Sequence, residues 1–281
     1  MVFHPHSTTI RELNQQAIAN DEDCQKVICE MKIVEEFLAD FGFLSFSRDY
    51  VSCDKYIFSM QKLSTATELT VGSMISCCEC GCIADAYSLL RKYRDDLFFY
   101  LYVVVYNANN MLDNKTPTVV EMESNIMRWI KNDLRDLYIG DVLKAISRSP
   151  QTKDSVKKYK LKKYFDTIKV KLNDYVHSNG ISFYNQNVNA YKEKELHNQL
   201  AMLLKDMRFI TVTFLFLLTL TSPHYIMSTD YVDYLEYNMT PPNGSQYWVA
   251  PFVNDFFKKN LDLIDETCMK YLQENTPMEL G

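Results

Sequence analysis

Glycine and proline are scarce in this chain, with 7 and 8 among 281 residues. So few turn formers exclude a collagen-like repeat and disfavour a many-stranded β fold, whose hairpins depend on them. Histidine is scarce too: the five histidines are scattered, and none pairs at metal-ligand spacing. There is no GxGxxG, no GxxxxGKS/T, no HExxH and no GxSxG. A P-loop nucleotide-binding protein, a zinc hydrolase and an α/β-hydrolase are therefore disfavoured, because each needs one of those spacings to place its reacting groups. No cofactor and no metal is expected. A positive charge surplus is also missing. The formal net charge is −6, which excludes a wholly basic nucleic-acid binder but leaves room for a local basic surface.

Long apolar runs are nearly absent. The exception is Phe209–Leu220, FITVTFLFLLTL, 12 residues without a charge. A spanning helix needs about 20 apolar residues, and runs of this length are usually buried core helices. A core helix is expected here, with a membrane-associated helix as the alternative.

What is present is helical patterning. The fold class expected is all-α, a single helical-bundle domain over residues 1–281 with long central helices and a partly ordered lead-in at 1–20. Asp21–Phe41 carries apolar residues along one side, and Gly42 follows where a C-cap glycine belongs. Phe43–Ser59 is less periodic and suits a short extended piece. Leu69–Tyr106 reads as a central helix with a kink near Gly81. Thr116-Pro117 opens a helix expected to stop near Gly140. Asp141–Ser147, Asp154–His177, Tyr191–Leu220, Asp230–Tyr237 and a final helix from Pro251 through Tyr271 complete the set. Ile181–Val188 and Met239–Phe252 read as loops, the second anchored by Tyr247 and Trp248.

One patch breaks the apolar character of the central stretch. Arg91, Arg94, Asp95 and Asp96 fall within six residues, and Arg91, Arg94 and Asp95 lie roughly on one helix face. Charges in a core-like helix must be paired, since an isolated buried ion costs several kcal/mol. The patch is then either an ion-pair network that fixes packing or a site where guanidinium groups clamp a phosphate or carboxylate. His177, in the last turn of its helix, is the one histidine placed to join Arg91, Arg94, Asp95 and Asp96 in a composite site.

Half of the 8 cysteines crowd into Cys77, Cys78, Cys80 and Cys82. No second CxxC or CxxH follows at zinc spacing. The start of the chain, MVFHPHSTTIREL, lacks an apolar secretory segment, so a reducing cytoplasm with free core thiols is expected. From Lys153 to Asp174 eight lysines face three aspartates. That surplus is read as a solvated face, with a weak RNA-tracking surface as the alternative.

ADAYSLLRKYRDDLFFYLYV (84–103), with LNDYVHSNG (172–180) and MTPPNGSQYWVAPF (239–252), resembles uncharacterised bacterial helical proteins of the HEPN superfamily. The resemblance implies a helical bundle that binds or processes RNA in a bacterial defence or toxin–antitoxin setting. As an enzyme it would be a metal-independent ribonuclease. Arg91 or Arg94 would hold phosphate, Asp95 or Asp96 would orient it, and His177 would act as acid or base. The superfamily places its arginine and histidine in one helix, whereas here Arg91 and Arg94 are followed by aspartates and aromatics. The fold carries over more readily than the activity. The other readings are a non-enzymatic protein that binds a protein partner or a second copy of itself, and the membrane-associated alternative.

Overall fold

A computed structural model describes residues 7–45, 50–112, 116–184 and 193–281. Most of them are helical, and the strands β1 (Tyr50–Cys53) and β2 (Tyr56–Ser59) form a single antiparallel hairpin. The class is all-α. In chain order the helices are α1 (Ser7–Asn20), α2 (Glu22–Ser45), α3 (Gln61–Glu79), α4 (Ile83–Met111), α5 (Pro117–Ile130), α6 (Ile139–Arg148) and α7 (Lys153–Lys158). Then come α8 (Leu161–His177), the single turn α9 (Ile181–Tyr184), α10 (Glu193–Thr221), α11 (Asp230–Glu236), α12 (Pro251–Asn260) and α13 (Cys268–Asn275).

Several expected boundaries move, each for a physical reason. Within the expected lead-in, residues 7–20 form α1, held by buried Ile10 and Ile18. His4 and His6 lie outside the described residues. Gly42 does not cap a helix, because α2 runs through it to Ser45. An added Cβ at Gly42 would meet Ser64 Oγ at 3.0 Å, so this glycine permits close approach. The kink expected at Gly81 is a full break between α3 and α4, with Gly81 at φ +69°. An added Cβ there would lie 2.6 Å from Asn14 Cβ, so both conformation and space demand glycine.

α5 stops at Ile130, well before Gly140, which sits in the first turn of α6. Asn132 takes the left-handed conformation (φ 58°), and Asp133 N–H donates to Arg128 O, which closes the helix end. The helix expected over 154–177 is broken at Lys160, also left-handed (φ 52°), into α7 and α8. The expected final helix is divided by a 3-10 turn, Leu261–Leu263, into α12 and α13. Residues 185–192, part of the expected loop and the expected start of the following helix, lie outside the described residues.

The chain forms two compact units. One comprises Met1–Leu38, Ala66–Arg94 and Lys163–Arg208; the other comprises Ala39–Thr65, Asp95–Lys162 and Phe209–Gly281. In the first unit, Met31 and Val34 of α2, Met74 and Cys78 of α3, and Leu200 and Leu203 of α10 are buried. Their three- and four-residue spacings on each helix make the core stripe. The second unit has an aromatic core. The Phe214 ring meets Phe41 edge-on at 6.0 Å and Tyr100 at 5.7 Å, and Tyr159 packs edge-on against Phe216 and Tyr271 at 5.5 Å each. Such edge-to-face pairs add about 0.5–1.5 kcal/mol beyond the area they bury.

Phe209–Leu220 lies in this second core, and Val212, Leu215, Phe216, Leu217 and Leu218 are wholly buried. Among the described residues no helix is long and apolar enough to cross a membrane, so the membrane-spanning reading of this segment is withdrawn. The loop at 239–252 is joined to its neighbours by backbone bridges, and of the two aromatics expected to anchor it Trp248 is half-buried. Met227 bridges Val249, and Trp248 bridges Glu279, while the Tyr247 side chain is exposed.

Candidate functional site

In the first unit, three helices contribute polar groups to one layer. α4 presents Tyr87 and Arg91 one turn apart on the same face. α8 presents Lys171 and Tyr175, again one turn apart, and ends at His177. Tyr87 and Tyr175 stack with ring centroids 4.0 Å apart and planes 10° from parallel. The Tyr87 hydroxyl donates to Asp206 Oδ2 of α10 at 3.4 Å. Lys171 Nζ donates to the same oxygen at 2.5 Å and lies 4.8 Å from the Tyr87 ring centre. The tyrosine stack therefore sets the register of α4 against α8, and the ion pair ties both to α10. Burial, and then the neighbouring Asp206 carboxylate, push the Tyr87 phenol well above its ordinary range.

That register decides where Arg91 falls. One turn beyond Tyr87, its guanidinium reaches the C-terminal end of α8, and Nη1 donates to His177 Nε2 at 3.4 Å. In that contact the guanidinium is the donor and Nε2 the acceptor, which leaves Nδ1 as the ring's other hydrogen-bonding atom. α8 ends here because Ser178 is left-handed (φ 50°). Asn179 secures the end, with its backbone N–H donating to Asp174 O at 3.0 Å and its side-chain amide to Asp174 Oδ1 at 3.1 Å. The partial negative charge of a helix C-terminus favours the guanidinium at this place.

The five candidate residues have separate fates. Arg91 is half-buried, His177 is exposed, and the two meet. Arg94, three residues on, turns inward and is only 3% exposed. Asp95 and Asp96 are half-buried and belong to the second unit. Sequence reasoning overlooked Tyr87 and Asp206 and counted Lys171 only as part of a solvated face. The signals were there: Tyr87 lies four residues before Arg91, and Asp206 sits between Lys205 and Arg208 just before the charge-free run of α10. What linear sequence does not show is that all three converge.

The cysteine cluster behaves as packing. Cys78 and Cys82 are buried, and all eight thiols are free. Burial raises the Cys77, Cys78 and Cys82 thiols, which disfavours the reactive thiolate. Among the described residues no group of three or more histidine, cysteine or acidic side chains is placed to hold a metal ion. On α8, Lys163 and Lys169 are exposed to solvent in the first unit. Comparison of the chain with protein-family models, with curated proteins and with solved structures found no significant match.

Proposed function

We propose that this chain is a helical RNA-binding protein whose phosphate contact is the Arg91–His177 pair. The observation that carries the reading is the 3.4 Å approach of Arg91 Nη1 to His177 Nε2 at a solvent-accessible helix end. A guanidinium supplies a planar fork of donors suited to a phosphodiester. The imidazole beside it has a second ring nitrogen, Nδ1, that can hydrogen-bond to the same phosphate. Exposed Lys163 and Lys169 supply further positive charge on α8. The HEPN resemblance supports RNA as the polymer. The pair spans two helices rather than one, and this favours binding over the superfamily's in-helix cleavage chemistry.

The test is fluorescence anisotropy with a labelled single-stranded RNA at 50 and 200 mM salt, with the same RNA followed on a gel. Arg91→Ala and His177→Ala should each weaken binding about tenfold, the size expected for one charge-assisted phosphate contact. Their melting temperatures should match wild type. Wild-type affinity should fall with added salt as phosphate counterions are released. No binding at low salt, or equal binding by both variants, defeats the reading. Cleavage that vanishes in His177→Ala would extend it to catalysis.

A structural reading holds for the deeper part of the layer. Arg94 is buried at 3% exposure, and the Tyr87–Asp206–Lys171 contacts lock three helices together. Arg94→Ala should lower the melting temperature by several degrees while the folded fraction binds RNA normally, because truncating a large side chain that is packed in the interior is destabilising.

A further inference from the structure

One helix of the second unit is left without a covering. α11 (Asp230–Glu236) buries none of its side chains, although Tyr231, Val232, Tyr234 and Leu235 make up most of it. Its neighbours in the chain α5, α6, α7, α12 and α13 all bury side chains. α11 lies against the 3-10 turn Ser245–Tyr247, and Leu235, Tyr237, Met239 and Tyr247 are exposed. A helix this short gains little stability by itself, and tertiary packing normally supplies the rest. Exposed tyrosines beside a tryptophan are the side chains on which protein interfaces most depend.

An open cleft of about 290 Å³ lies at the start of α11, lined by Ser228, Asp230, Trp248, Val249, Pro251 and Glu279. Trp248 and Glu279 are partners in a parallel bridge, which sets both side chains on one face. Ser228 Oγ donates to Asp230 Oδ2 and so holds the second carboxylate in place. Asp230 and Glu279 make no ion pair among the described residues. No lysine or arginine lines the cleft. None occurs between Arg208 and Lys258 in the sequence, an interval that holds Asp230, Asp233, Glu236 and Asp255. α12 begins at Pro251 beside the cleft, but the partial positive charge of a helix start is smaller than the two full carboxylate charges.

We infer that this face docks a basic segment of a partner protein, one in which lysine or arginine alternates with apolar residues. The cation enters the cleft between Asp230 and Glu279 and lies over the Trp248 ring, where cation–π attraction adds to two ion pairs. The apolar residues cover Tyr231, Tyr234 and Leu235, which share one side of α11 by their three- and four-residue spacing. The acidic charge repels a nucleic-acid backbone or an anionic lipid headgroup. Arg91 and His177 take no part in this contact.

Trp248 is one of only two tryptophans, so in the full chain carrying Trp129→Phe its emission reports the cleft alone. Titration with an alternating Lys-Leu peptide should shift that emission saturably, and at lower peptide concentration in low salt. Asp230→Asn combined with Glu279→Gln should weaken binding about tenfold, the size expected for two exposed ion pairs. Both side chains are exposed, so this double variant should melt with its Trp129→Phe parent. Leu235→Ser should weaken binding as well, and Arg91→Ala should leave it unchanged. A Glu-Leu peptide and a single-stranded RNA should leave the emission where it is. A Trp248 emission that the Lys-Leu peptide does not move overturns the inference. So does undiminished binding by the double variant or by Leu235→Ser, or a shift produced by the Glu-Leu peptide or the RNA. Self-association in sedimentation velocity that the double variant abolishes also overturns it, and makes a second copy of the chain the occupant.

Discussion

Two glycines show how far a single position can be judged from its surroundings. Gly81 has φ +69° and sits against Asn14 Cβ, an atom that cannot move without its helix. Gly81→Ala should therefore cost about 1–3 kcal/mol in a urea titration, from left-handed strain plus the clash. Gly72 is helical, and an added Cβ would meet only Glu35 Oε1, at 2.5 Å. That carboxylate is the far end of a flexible side chain and can swing aside, while alanine gains helix propensity. Gly72→Ala should change stability by less than about 0.5 kcal/mol. Equal losses at the two positions would show that neighbouring atoms do not govern the difference. Arg91 and Arg94 make the same point for charge: three residues apart, one faces solvent and His177 while the other is buried.

At the scale of elements, helix ends decide what meets what. The break between α7 and α8 rests on Lys160 in the left-handed region. Its neighbours explain why the chain turns there. Tyr159 packs against Phe216 and Tyr271, and Leu161 is fully buried. A continuous helix would rotate one of them away from its contacts. Lysine is an indifferent residue for that conformation, so Lys160→Gly should stabilise the protein by about 0.5–1 kcal/mol, and Lys160→Val should destabilise it by at least as much. Denaturant midpoints of the two variants on opposite sides of wild type would bear this out. Two shifts of the same sign would refute it. The same device at Ser178 ends α8 where His177 can meet Arg91.

For the whole molecule the buried titratable groups predict an alkaline limit. Burial pushes the Cys78 thiol and the Tyr87 phenol upward, and Tyr102 and Cys268 up to about 12 each. Each folded-state pKa lies above its unfolded value, near 8.5 for thiols and 10 for phenols. The unfolded chain therefore releases its protons first. The stabilisation is complete below about pH 8, begins to fall as unfolded thiols ionise, and falls faster above pH 10 as unfolded tyrosines join, until Tyr102 and Cys268 ionise in the folded chain near 12. Melting temperatures should be level from pH 7 to 8 and drop steadily from 9 to 10.5. Cys268→Ala should flatten that slope by up to about 1.4 kcal/mol per pH unit. A flat profile to pH 10.5, or one unchanged by the substitution, would remove these groups as the cause.

Local chemistry alone determined the helical class, the cap at Thr116-Pro117, the end of α8 near Asn179-Gly180 and the charge-free core run in α10. Each follows from backbone propensity or from apolar periodicity within one segment, which the chain carries wherever it folds. Tertiary structure decided the rest. Gly42 continues a helix because Ser64 packs beside it, and Lys160 breaks one because Tyr159 and Leu161 both have partners to reach. The candidate site divides along the same line. Arg91 and His177 were legible as residue types able to hold a phosphate. Their meeting depends on the stacking of Tyr87 on Tyr175, a contact between residues 88 positions apart whose register no local pattern encodes.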